Sequence, residues 1–154
     1  MSNNSGNTTT TKESPTMVRF SGRDALEDYL CGKLVELLRS GIETRGQAAL
    51  AVSGGRTPTA LFQRLSTQSL DWQKVTIVLV DERWVDADHE ASNERLVRQN
   101  LLQHEAAKAR FISLKNAADS AVDGSAALQE QLQSLPSPMD AVILGMGEDG
   151  HTAS

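Results

Sequence analysis

At 154 residues, with a net charge of −5 and 39% hydrophobic residues, the chain is sized for one soluble domain with its own core. The acidic balance argues against nucleic acid as the main partner, and no apolar run approaches the roughly 20 residues that span a bilayer. A single cysteine, Cys31, excludes an intramolecular disulfide.

The first fifteen residues are polar, with neither a hydrophobic signal core nor an arginine-rich transit pattern, and read as a disordered tail. Cytoplasmic residence is the default expectation. Residues 16–154 read as one α/β domain. Met17 to Phe20 is a short apolar run, predicted as a first strand. Ser21-Gly-Arg-Asp24 fits a capping box, and Leu26, Leu30, Leu34, Leu37, Leu38 and Ile42 follow at helical spacing. Cys31 falls within that stretch and reads as a buried, inert thiol. Gly41 and Gly46 close the helical region.

Gln47 to Val52 reads as a strand. Thr57-Pro58 is a helix start, because threonine can cap and proline is tolerated in the first turn. Leu61, Phe62 and Leu65 supply that helix with an apolar face. Val75 to Val80 is apolar but for Thr76 and largely β-branched, as suits a strand covered on both sides. Ser92 or Asn93 can cap a helix with Leu96, Val97, Leu101 and Leu102 inward. Phe111 to Leu114 is a short strand. Asp119 or Ser120 opens a helix through Leu128, Leu132 and Leu135, which Pro136 and Pro138 stop. Met139 to Leu144 is the last strand.

This alternation predicts a doubly wound, mostly parallel sheet with helices on both faces. Ligands bind beyond the carboxyl ends of such strands. Three strands end there in polar loops: Ser53-Gly-Gly-Arg-Thr-Pro58, Asp81-Glu-Arg83 and Gly145-Met-Gly-Glu-Asp-Gly-His151. Parallel strands bring all three to one edge.

Gly54 and Gly55 let backbone N–H groups approach an anion, and Ser53, Arg56 and Thr57 add donors at a helix N-terminus. A tight turn with a capping threonine accounts for the same residues. Asp81, Glu82 and Arg83 are either site residues or a solvated, self-paired loop. Asp86, Asp88, His89 and Glu90 read as a hydrated loop rather than a metal site. Residues 145–150 match G-x-G-x-x-G, but they follow the last strand rather than opening the first βα unit, which argues against a dinucleotide loop. The glycines instead expose Asp149 and His151, an acid and a candidate general base.

Three blocks together resemble 6-phosphogluconolactonase, of the glucosamine-6-phosphate isomerase superfamily. They are Ser-Gly-Gly-Arg-Thr-Pro at 53–58, Asp-Glu-Arg-Trp-Val at 81–85 with Ser92-Asn93, and Leu-Gly-Met-Gly-Glu-Asp-Gly-His-Thr-Ala-Ser at 144–154. The resemblance covers residues 17 to 154 and implies a Rossmann-like α/β domain. Family members continue well beyond the last block, so the sequence reads as the N-terminal part of that domain, truncated at its C-terminus.

The resemblance implies hydrolysis of the δ-lactone of 6-phosphogluconate, in the oxidative branch of the pentose phosphate pathway, without cofactor or metal. It implies that His151 activates water, with Asp149, Asp81 and Arg83 beside it. It places the sugar phosphate on Ser53, Gly54, Gly55, Arg56, Thr57, Glu82, Asn93, Gly147 and Gly150. The expected partner is the sugar-phosphate lactone, with no nucleic acid and no membrane, on a monomer or weak homodimer. The superfamily also holds sugar-phosphate isomerases and deaminases. Arg83 after Asp-Glu, and Thr-Ala-Ser after the histidine, favour the lactonase. A non-catalytic sugar-phosphate-binding protein is the alternative from a different class.

Overall fold

The structure, a computed structural model, describes residues 14–147, 149, 150 and 152. Most of the expected N-terminal tail, together with Glu148 and His151, lies outside these residues. Helices and strands alternate as α1 (Arg23–Arg45), β1 (Ala48–Val52), α2 (Thr59–Ser66), β2 (Val75–Leu79), α3 (Asn93–Asn100), β3 (Arg110–Ile112), α4 (Ala121–Leu132) and β4 (Ala141–Ile143). The four strands form an all-parallel sheet in the order β3-β2-β1-β4.

Strands β1 and β2 occupy the middle of the sheet, and every residue of both is buried. Their period-two alternation feeds two cores. Leu50, Val52, Ile77 and Leu79 face a large core built with α1, α2 and α3, in which Leu38, Phe62, Leu65 and Val97 are fully buried. Ala51, Val78 and Ile112 face a smaller core on the other side, against Leu132 at the end of α4 and Leu135 just beyond it. Helices therefore cover both faces, as the strand–helix alternation predicts. No described helix is long and apolar enough to cross a membrane.

The first expected strand is absent. Residues 14–20 form no regular structure, and Met17 and Val18 are exposed. Phe20 instead places its ring 5.1 Å from that of Tyr29. The capping box also fails. Helix α1 begins after Gly22, so the N-cap position falls one residue past Ser21 on a glycine with no side chain to accept from the first turn, and the Asp24 carboxylate pairs with Arg64 on α2. Gly41 does not end the helix. It is buried inside it, and the chain leaves α1 at Gly46, whose left-handed backbone donates its N–H to the Ile42 carbonyl. Helix α2 starts one residue later than expected, with Pro58 at its N-cap and no side-chain cap. Ser92 and Ser120 do cap α3 and α4, accepting from Arg95 N and Asp123 N.

Asp140 docks β4 onto β1. Its backbone N–H donates to the Ala49 carbonyl at 3.0 Å, and its carboxylate accepts from Ala49 N at 2.8 Å. The same carboxylate, 6% exposed, pairs with Arg45 at the end of α1. Asp140→Ala would strip the partner from a buried N–H and from Arg45. It should cost about 2–3 kcal/mol, the range for lost charged hydrogen bonds. The check is a lower urea midpoint at unchanged m-value.

Candidate active site

The connectivity itself locates a crevice. From β1 the chain crosses through α2 to β2 on one side, whereas β4 arrives through α4 on the other. The strand order reverses between β1 and β4, and ligands of open α/β sheets bind beyond the carboxyl ends at such a point. Ser53 N–H bridges the two strand ends, donating to the Ile143 carbonyl at 3.1 Å.

A cavity of about 470 Å³ opens there. The loop after β1 contributes Ser53, Gly54, Gly55 and Thr57 to its walls. Asp81 and Arg83 come from the loop after β2, Asn93 from the start of α3, and Gly145 to Gly147 from the loop after β4. All three strand-end loops therefore share one cavity. Among the described residues, Arg56, Glu82, Asp149 and Gly150 are not in its walls. Arg56 is exposed. Asp149 and Gly150 belong to a turn in which Gly150 N–H donates to the Gly147 carbonyl at 2.9 Å.

Glu82 is engaged by the start of α3. Its Oε1 accepts from Asn93 N at 2.8 Å and Arg83 N at 2.7 Å. Its Oε2 accepts from Glu94 N at 2.7 Å and Ser92 Oγ at 3.1 Å. The carboxylate thus satisfies orphan donors at the positive end of α3. This braces the Asp81–Arg83 loop against α3, and the Asn93 side chain adds a second brace through Nδ2 to the Asp81 carbonyl at 3.0 Å. At the far end of the loop, Trp84 Nε1 donates to Ala118 O at 3.2 Å, and Lys115 Nζ sits 4.8 Å from the Trp84 ring centroid. Arg83 is exposed and anchored at Nη1 by the Ala91 carbonyl at 2.8 Å.

Gly54 is where the β1 loop touches this frame. A Cβ there would lie 2.6 Å from Asn93 Nδ2 and nearer still to its Oδ1 and Cγ. The glycine is needed for close approach of two loops. It also lines the cavity, where the sequence places an anion.

Two charged wall residues escaped the sequence reading, Arg23 and Glu27 in the first turns of α1. Glu27 is 6% exposed, with Oε1 2.7 Å from Arg23 Nε and Oε2 3.4 Å from Arg64 Nε. No local signal marks these residues, because only tertiary packing brings the start of α1 to the β1 loop. Cys31 lies outside the cavity walls. Burial, and then the Asp28 charge, push its thiol up against an opposing pull from Arg64, so it stays protonated at neutral pH. Among the described residues, no group of three or more His, Cys, Asp or Glu side chains is arranged to hold a metal ion.

Residues 21–154 match the family described as glucosamine-6-phosphate isomerases/6-phosphogluconolactonase. The chain is 49% identical over 135 residues to a 6-phosphogluconolactonase of Rhizobium meliloti (strain 1021), covering 88% of this chain and 58% of that protein. It is 49% identical over 125 residues to a 6-phosphogluconolactonase of Pseudomonas aeruginosa, covering 81% and 52%. A crystal structure of a 6-phosphogluconolactonase from Shewanella baltica OS155 superposes with a TM-score of 0.85 at 51% identity, over 86% of this chain and 57% of that one. The chain thus spans between 52% and 58% of the length of these relatives.

Proposed function

Because the chain belongs to the glucosamine-6-phosphate isomerase/6-phosphogluconolactonase family, we propose that the protein hydrolyses 6-phospho-D-glucono-1,5-lactone to 6-phospho-D-gluconate. One observation carries the reading beyond family membership. Three strand-end loops line a single cavity at the switch point, one of them rich in backbone N–H groups and another carrying an arginine.

The phosphate rests on the N–H groups of Gly54, Gly55 and the start of α2, where the helix end favours an anion. Ser53 and Thr57 add hydroxyl donors. The lactone ring then lies toward Asp81, Arg83 and the loop after β4. His151, as the neutral imidazole, takes a proton from water as the water oxygen bonds to the lactone carbonyl carbon. The carbonyl oxygen becomes an oxyanion, stabilised by Arg83 and loop N–H groups. Collapse breaks the bond to the ring oxygen, which receives the proton and leaves as a hydroxyl. Asp149 orients the imidazole or the water, and Asp81 holds a sugar hydroxyl. Asn93 and Glu82 act one step back, by fixing the loop that carries Asp81 and Arg83. Arg56 and Gly150 support the two loops from outside the cavity walls.

The test is acid release from freshly prepared 6-phosphogluconolactone by the intact protein. The expected result is opening well above the spontaneous rate. A lactone rate equal to buffer, with conversion of glucosamine 6-phosphate instead, would replace the lactonase by a deaminase.

A further inference from the structure

We infer that Arg23 is a further anion-binding residue of this cavity, taking the phosphate from the start of α1. The inference deepens the proposed function and rests on it for the identity of the anion. Arg23 stands in the first turn of α1, and its side chain lines the same cavity as Gly54, Gly55 and Thr57. It is held at two points. Nε donates to Glu27 Oε1 at 2.7 Å, and Nη2 donates to the Thr57 carbonyl at 2.6 Å. A guanidinium has five N–H donors in a fixed plane. Two are spent on these anchors, which leaves three on a side chain that is 62% exposed.

The anchors fix direction as well as position. Thr57 closes the N–H-rich loop, so an arginine bonded to its carbonyl sits beside the proposed phosphate. Glu27 is buried in the cavity wall, where a bare carboxylate would repel an anion. Arg23 and Arg64 flank its two oxygens and offset that charge. A preorganised arginine loses little freedom when it takes an oxyanion. Structural pinning of Thr57 accounts for one donor; it does not require a residue with three more on an exposed side chain that lines a cavity.

The experiment compares Arg23→Gln, Arg23→Lys and Arg23→Ala in the intact protein on 6-phosphogluconolactone and on unphosphorylated glucono-1,5-lactone. Glutamine can still donate to the Thr57 carbonyl but carries no charge. A charged hydrogen bond typically accounts for 10- to 100-fold in affinity, so Arg23→Gln should raise KM for the phosphorylated lactone by about that factor. Its kcat should stay within about threefold, its kcat/KM on the unphosphorylated lactone should not change, and lysine should recover part of the loss. An unchanged KM in Arg23→Gln, or equal losses on both lactones, would overturn the inference and leave Arg23 a structural pin. Calorimetric titration of wild type and Arg23→Gln with inorganic phosphate keeps the two readings separable. A wild type inactive on both lactones refutes the lactonase, whereas weaker phosphate binding in the variant still supports Arg23, and equal binding removes it.

Discussion

Gly54→Ala should abolish most activity, lowering kcat/KM by about 100-fold, the penalty that follows when a positioned group moves by about 1 Å. The new methyl would overlap the Asn93 side-chain amide. Asn93 cannot swing aside freely. It is 3% exposed, its Nδ2 holds the Asp81 carbonyl, and its backbone N–H is held by Glu82. Either the β1 loop retreats and the proposed anion site opens, or Asn93 moves and takes the Asp81–Arg83 loop with it. Overpacking of this kind costs about 1–3 kcal/mol of stability besides. Steady-state kinetics and thermal unfolding of the variant provide the check. A double-mutant cycle with Asn93→Ala isolates the clash. If Asn93→Ala fails to relieve any of the Gly54→Ala defect, the two loops are not coupled through this contact.

His151→Ala should lower kcat by ~10²–10⁴-fold with KM nearly unchanged, because a general base contributes to the transition state and little to ground-state binding. The sign of the pH dependence follows from the role. A base must be neutral, so wild-type kcat/KM should rise with pH as the base loses its proton and then level off. The variant should lose that rise. Residual activity within about threefold of wild type, with the pH profile intact, would remove His151 from the chemistry, since a base normally supplies ~10²-fold or more.

The buried strands were the most legible part of this chain. Val75 to Val80 is apolar at every position save Thr76, and a strand covered on both faces leaves little else for such a run to be. The caps of α3 and α4 were legible to within one residue, as Ser92 or Asn93 and as Asp119 or Ser120, and the serines take the role in both. Met17 to Phe20 misled because a four-residue apolar run says nothing about whether a neighbouring strand exists to receive it. Ser21 misled because the helix starts one residue later than the box requires, with Gly22 at its N-cap, while Asp24 pairs with Arg64, forty residues away.

The same division holds for the site. The three loops were readable because parallel strands fix their common edge. Glu82 was not, because its partners at Ser92, Asn93 and Glu94 are ten to twelve residues distant and the cap they share has no local signature. Arg23 carries no signature at all until α1 is laid against the β1 loop.

The Asp140 dock also bears on the order of folding. Strands β1 and β2 meet across a short α2 crossover, but the bonds joining Asp140 to Ala49 and Arg45 close loops of 91 and 95 residues. Chain entropy makes such closure the slowest to be rewarded, since nothing is gained until the ends meet. The β4 loop supplies one wall of the cavity, so the cavity exists only once that last strand is in register. A nascent or partly refolded chain can hold most of its apolar core and still have no site.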